Sequence, residues 1–188
     1  MTTRPEAIVI GASAGAVEAL SAILPKLTAG YALPVIVVVH LPPDRRSEMA
    51  ELFQAKCRIL VREADDKQAI MGGVVYFAPP DYHLLVESDR HFSLSVDEPV
   101  MYSRPSIDVL FESAADAYGS GLIGVILTGA NSDGAIGLSA VMQAGGVGIV
   151  QDPIQAQASA MPEAAMRLSP SAKAMSLTGI AQYLEGIA

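Results

Sequence analysis

Three short segments of the chain hold residues that could carry out acyl transfer. Gly11-Ala-Ser13-Ala-Gly15 has the G-x-S-x-G spacing, in which small residues on either side of a serine permit a sharp bend that pushes its hydroxyl outward. His40 ends an apolar run, and an imidazole, with an ordinary pKa of about 6.5, is suited to take a serine proton near neutral pH. Leu127-Thr-Gly-Ala-Asn-Ser-Asp133-Gly134 follows another apolar run; a carboxylate there could fix the tautomer of a histidine and stabilise the imidazolium. Each has a plainer reading. Ser13 could cap a helix while Gly11 and Gly15 allow close packing. His40 could bond a nearby backbone group. Asp133 could be an N-cap, unless Asn131 or Ser132 takes that duty. A dinucleotide-binding loop fits less well, because it needs G-x-G-x-x-G and usually an acid after the second strand, where this chain has His40.

The elements around these segments decide whether they can meet. Apolar runs alternate with helical patterns, the signature of parallel strands joined by crossover helices. Residues 7–10 and 34–40 read as strands, with a helix over 14–27 between them whose Val17, Leu20, Ile23, Leu24 and Leu27 share one face. Pro42-Pro43 ends the second strand and a helix over 45–55 follows. Residues 58–62, 74–77, 84–87 and 91–96 are short, partly alternating and separated by turn residues, and they read as an antiparallel excursion beside the sheet. Ser106 caps a helix to about 118 with Asp108 in its first turn. Strands over 121–127 and 147–150, and helices over 134–144, from Met161-Pro162-Glu163 onward, and over 179–184, complete the pattern. The fold expected is α/β: a doubly wound, mostly parallel sheet with flanking helices and an antiparallel hairpin excursion in mid-chain. Ligands of such sheets gather at the carboxyl ends of the strands. Ser13, His40 and Asp133 all fall there, and a helix N-terminus behind Ser13 offers free N–H groups where an oxyanion would form.

Bulk properties narrow the function further. With 188 residues, 51% of them hydrophobic and 17% charged, the chain can bury one core as a single domain over 1–188. Cys57 has no partner for an internal disulfide, which suits a reducing compartment. No segment approaches the roughly 20 apolar residues of a membrane span, and the N-terminus lacks the features of a signal peptide, so membrane insertion is not expected and a cytoplasmic location is. The net charge of −8 and a densest basic cluster of only Arg45-Arg46 argue against nucleic acid as a partner. His83 and His91 lie in the hairpin region, where partly exposed cross-strand positions are the default. With Cys57 they show no ligand spacing, so neither a metal nor a cofactor is expected.

The three segments resemble the active-site motifs of the chemotaxis protein-glutamate methylesterase (CheB) catalytic domain. So do Arg62-Glu-Ala-Asp-Asp, Val75-Tyr-Phe-Ala-Pro-Pro-Asp-Tyr-His83, Arg104-Pro-Ser-Ile-Asp-Val-Leu-Phe111 and Met161-Pro-Glu-Ala, in the expected order. The resemblance implies hydrolysis of glutamyl methyl esters on chemoreceptor signalling helices, and in many members deamidation of receptor glutamines. It makes Ser13 the nucleophile, His40 the general base and Asp133 the orienting acid, with the backbone N–H groups of Ala14 and Ala130 in the oxyanion hole. Arg104 is the candidate for substrate binding; its plainer role is to bond loop carbonyls before the Ser106 cap. The chain departs from the family at Ala14, Ala16, Ala130-Asn131-Ser132 and Met101-Tyr102-Ser103, which bears on oxyanion geometry and receptor specificity. Many members also carry an N-terminal receiver domain. Here the chain starts at the first catalytic strand, which is compatible with a shortened protein, unregulated activity or a separate receiver as partner. A hydrolase of another ester on the same fold, and a non-catalytic receptor- or receiver-binding adaptor, are the alternatives. Oligomeric state is not legible.

Overall fold

The computed structural model describes residues 4–40 and 48–187. Pro42-Pro43 and Arg45-Arg46 lie outside the described residues. The central strand β1 (Ala7–Ala12) is flanked by β2 (Val35–Val39) and β7 (Leu122–Ile126), and all three are buried along their whole length. Their unbroken Val/Ile runs follow from that, since a strand covered on both faces has no solvent side to populate with polar residues. Beyond β2 lie β4 (Val74–Phe77) and then β3 (Leu60–Glu63); beyond β7 lie β8 (Val147–Gln151) and then β9 (Lys173–Met175). Every pairing in this seven-stranded sheet is parallel. A separate antiparallel hairpin joins β5 (His83–Val86) to β6 (Phe92–Ser95).

Two cores flank the sheet. On one face Ile8, Ile10 and Ala12 pack with Ala19, Leu20 and Ile23 of α1 (Ala16–Ile23), Phe53 of α2 (Met49–Gln54) and Leu184 of α6 (Leu177–Gly186). On the other, Val9, Ile36 and Val38 meet Ile107, Leu110 and Phe111 of α3 (Ile107–Tyr118), Leu138 of α4 (Ala135–Gln143) and Met161 of α5 (Ala160–Leu168). The hairpin adds Leu84, Val86 and Phe92 to this second core, with Phe92 edge-on to Tyr76 at 4.9 Å between ring centroids.

The mid-chain excursion is smaller than its sequence suggests. β3 and β4 belong to the parallel sheet, and only β5 and β6 are antiparallel. The alternation of β3 comes from its place at the sheet edge, where Val61 is buried while Leu60 and Arg62 face solvent. α1 stops at Ile23, and Leu24–Lys26, containing Pro25, tightens into a single 3-10 turn. α5 begins at Ala160, one residue before the Met161-Pro162-Glu163 start read from sequence. β9, three residues long and largely exposed, carries no apolar run by which the sequence could announce it.

The topology places the carboxyl ends of three strands together. The chain leaves β1 to one neighbour, β2, and returns on the other side as β7. That reversal opens a crevice beyond the strand ends. Register aligns them: Ala12 is opposite Val39 and Gly11 opposite Ile126. The residues that follow β1, β2 and β7 therefore emerge side by side.

Candidate active site

Ser13 leaves β1 in a tight turn. Ala16 N donates to Ser13 O at 2.9 Å, and Gly15 has φ +83° and ψ 8°, the third position of a type II turn. A left-handed residue is required there, and glycine takes it without a Cβ penalty. Thr128, in the loop after β7, clamps this turn: its carbonyl accepts from Ser13 N at 2.9 Å and its hydroxyl donates to Ala14 O at 2.8 Å. The Ser13 hydroxyl itself has no hydrogen-bond partner among the described residues, and it faces the same cleft as His40. Ala14 and Ala130 are exposed, and their amides make no hydrogen bond among the described residues.

Asp133 is the opposite case. It is fully buried, in a second type II turn closed by Ala135 N to Ser132 O at 3.2 Å, with Gly134 at φ +97°. Its Oδ1 accepts from Ser106 Oγ at 2.9 Å and Asp108 N at 3.0 Å; its Oδ2 accepts from Ile107 N and His40 Nε2, both at 2.7 Å. The carboxylate therefore sits on the N-terminus of α3, where free N–H groups and the helix dipole favour an anion. Burial pushes its pKa up, but the His40 hydrogen bond and the Asp108 and Ile107 amides outweigh it and hold the carboxyl below its ordinary value.

The plainer reading of Asp133, as cap of the helix after it, is not what the structure contains. α4 is capped by Asp108, whose Oδ1 accepts from Gly134 N at 2.9 Å and Gly137 N at 2.7 Å. Two buried aspartates thus cap each other's helices crosswise. Burial raises the Asp108 pKa to about 6; the Gly137 and Gly134 amides oppose the rise, and the Asp133 and Glu112 charges add to it. Asn131 serves the loop instead, its Oδ1 accepting from Asp133 N at 3.1 Å.

With Nε2 donating to Asp133, His40 presents Nδ1 as its acceptor. Asn131 Nδ2 stands 3.5 Å from that nitrogen, at the outer limit of a hydrogen bond, so the lone pair remains available. Ser13 and His40 sit between two open clefts. One, of about 550 Å³, is bounded by Asp81, Met101, Tyr102 and Arg104; the other, of about 530 Å³, by Glu18, Ser21, Lys56 and Gln157. Together they form a trough able to admit a side chain carried on a larger molecule. Such an arrangement can take a proton from a hydroxyl, stabilise the resulting imidazolium, and offer amides to an oxyanion.

Comparison with known proteins identifies the family. The profile of the CheB methylesterases matches residues 8–184. The chain belongs to the CheB methylesterase family. The crystal structure of the Thermotoga maritima CheB methylesterase catalytic domain superposes with a TM-score of 0.92 at 29% identity, covering 99% of this chain and all of that one. A Leptospira interrogans relative is 47% identical over 177 residues, 94% of this chain and 92% of its own length. The protein-glutamate methylesterase/protein-glutamine glutaminases of Archaeoglobus fulgidus and Salmonella typhimurium are both 36% identical, over 88% and 94% of this chain. The chain spans about half the length of those two, 48% and 51%.

Within the CheB fold, the remaining residues singled out from sequence separate. Arg104 borders the larger cleft, yet its guanidinium is largely spent inside the protein. Nη2 and Nε donate to Asp81 Oδ1 at 2.7 and 3.2 Å, and Nη1 to the carbonyls of Val96 and Asp97. His83 is buried, not partly exposed: its Nδ1 accepts from Ser106 N and its Nε2 donates to Glu98 O, tying the hairpin to the start of α3. His91 stays on the surface beside Asp89. Sequence reasoning missed Thr128, and it missed that Ser106 and Asp108 act on the site. Both read as helix-start residues; the missing signal is that this helix starts at the crevice. Among the described residues no helix is long and apolar enough to cross a membrane.

Proposed function

We propose that this chain is a protein-glutamate methylesterase in which Ser13 is the nucleophile, His40 the general base and Asp133 its orienting acid. The observation that carries the reading is the 2.7 Å His40–Asp133 contact beside a serine turn whose hydroxyl has no partner among the described residues. Ser13 Oγ attacks the carbonyl carbon of the glutamyl methyl ester as His40 Nδ1 takes its proton. The negative charge that develops on the carbonyl oxygen is received by the amides of Ala14 and Ala130. The C–O bond to the methoxy group then breaks, and His40 returns the proton so that methanol leaves. Water, deprotonated by His40, cleaves the acyl-enzyme to release glutamate and regenerate Ser13. Asp133 stays ionised throughout, since its four hydrogen bonds all favour the charged form.

The substrates we assign are methylated chemoreceptor signalling helices, acted on in the cytoplasm. The same site would deamidate receptor glutamines, with ammonia in place of methanol, in keeping with the double name of the Archaeoglobus and Salmonella relatives. We read residues 1–188 as one catalytic domain needing no metal or organic cofactor, and open to control by a separate receiver domain. Arg104, with its donors engaged by Asp81 and two carbonyls, acts in this scheme by holding the cleft wall. The test is methanol release from a methylated chemoreceptor signalling fragment. Release by the wild type and none by Ser13→Ala is expected; a folded wild type that releases none overturns the assignment.

A further inference from the structure

One wall of the larger cleft is a strained turn whose residues do not suit its geometry. Val100 and Ser103 exchange backbone hydrogen bonds of 3.0 and 2.8 Å, closing a two-residue hairpin. Met101 and Tyr102 between them have φ of +49° and +64°. Two successive left-handed residues make a type I′ turn, for which Asn-Gly is the favoured pair. A methionine and a tyrosine pay for that conformation with backbone strain. Tyr102 recovers nothing by burial, being 102% exposed, and Met101 is 45% exposed.

The position of the turn supplies the missing reason. Met101 and Tyr102 line the cleft that holds Ser13 and His40. Ser132 Oγ lies 3.6 Å from Met101 Sδ, so the methionine rests on the residue before Asp133. From Met101 an apolar ledge continues over Ile136 and Leu168, 56% and 54% exposed, around a smaller cleft of about 260 Å³. The cation in the larger cleft, Arg104, is already paired with Asp81. The mouth of the site on this side is thus mainly apolar, with Arg167 as the cation at the margin of the smaller cleft. It matches a neutral side-chain ester flanked by an apolar residue.

We propose that Met101 and Tyr102 form a specificity element, reading an apolar side chain that neighbours the reacting glutamyl ester on a polypeptide substrate. On an amphipathic helix the next residue on the same face lies one turn away, which suits contact with this ledge while the ester enters the cleft. The inference rests on the methylesterase reading above.

The test replaces the pair by Asn-Gly, M101N/Y102G. This exchange suits the turn, so the variant should unfold at or above the wild-type temperature. Two substrates are compared: a methylated chemoreceptor signalling fragment, read by methanol release, and p-nitrophenyl acetate, which has no flanking residue. The ratio of kcat/KM for the fragment to that for the small ester should fall about tenfold, the usual order for loss of an aromatic anchor. Tyr102→Phe, which keeps the ring, should hold the wild-type ratio. A ratio unchanged in M101N/Y102G overturns the inference, as does a change confined to the oligomeric state, which would assign the ledge to a second copy of the chain. If the wild type hydrolyses the small ester but releases no methanol, the methylesterase reading fails, and this inference with it.

Discussion

Two turns of one geometry stand at the carboxyl ends of β1 and β7, and they are held in opposite ways. Ser13–Ala14–Gly15–Ala16 and Ser132–Asp133–Gly134–Ala135 are both type II turns leading into a helix, with glycine left-handed at the third position. In the first, Thr128 pins the backbone while the serine hydroxyl has no partner among the described residues. In the second, the side chain is saturated by donors from Ser106, Ile107, Asp108 and His40. A nucleophile must rotate between the base and a carbonyl carbon, whereas a charge that orients a base serves best when it cannot move. In the proposed mechanism preorganisation is therefore distributed: rigid main chain under the group that would react, rigid side chain on the group that would not.

Removing each side chain should expose this asymmetry most strongly. Ser13→Ala is expected to lower methanol release by at least about a thousandfold, while its thermal midpoint stays within about 2 °C of wild type, because no bond is lost. Asp133→Asn should lower kcat by on the order of 10⁴ and also destabilise the fold by about 2–4 kcal/mol, since the amide turns an N–H toward groups that already donate. The pH dependence of that loss has a definite sign. Asp133 has a depressed pKa in the folded protein. Its stabilisation is therefore present above the unfolded value of about 3.9 and disappears as pH falls through the lower folded value. Denaturant titrations of wild type and Asp133→Asn should converge in that acid range. Equal midpoints at pH 7 would break the contrast.

The glycines sharpen it at smaller cost. A Cβ at Gly134 would meet Ile126 Cδ1 at 2.6 Å and Ile107 Cγ2 at 2.7 Å, both in the packed core. At Gly15 the nearest atom, 2.7 Å away, is the terminal Oε1 of Gln157, which can swing aside. Both substitutions incur left-handed strain, but Gly134→Ala should cost about 2–4 kcal/mol and Gly15→Ala about 1 kcal/mol, measured by urea unfolding. Reversal of that order would mean that the nucleophile turn, not the acid turn, is the rigid one.

Much of this arrangement is legible in the sequence. G-x-S-x-G between a strand and a helix, His40 ending a Val-rich run and Asp133 after another all report local backbone direction, which parallel topology then converts into proximity. What local pattern cannot report is which helix start faces which loop. Ser106 and Asp108 read correctly as helix-start residues, yet nothing in their neighbourhood says that α3 points its amides at Asp133, a contact between residues 25 or more positions apart. The misreading of β3 has the same root. Alternation reports one-sided burial, which a parallel edge strand shares with an antiparallel hairpin. Arg104 shows the limit for charges, since its bond to Asp81 spans 23 residues and decides how much of it a substrate can use.

The least disruptive change probes the crosswise pair of aspartates. Asp108→Asn keeps an oxygen for the Gly134 and Gly137 amides but removes a buried charge. Its sign is opposite to that of Asp133. Asp108 has a folded pKa raised to about 6, so the stability it contributes is fully present below the unfolded value of about 3.9 and is lost as pH rises through about 6. Wild type should therefore lose stability from this group between about pH 4 and pH 6, and Asp108→Asn should lack that component. Urea unfolding across the interval tests it, with the variant's profile expected to be flatter and its relative stability greatest near pH 7. Parallel profiles would mean that Asp108 carries its charge at no net cost. The rigidity of the acid turn would then owe nothing to tension between the two carboxylates, and everything to the amides they share.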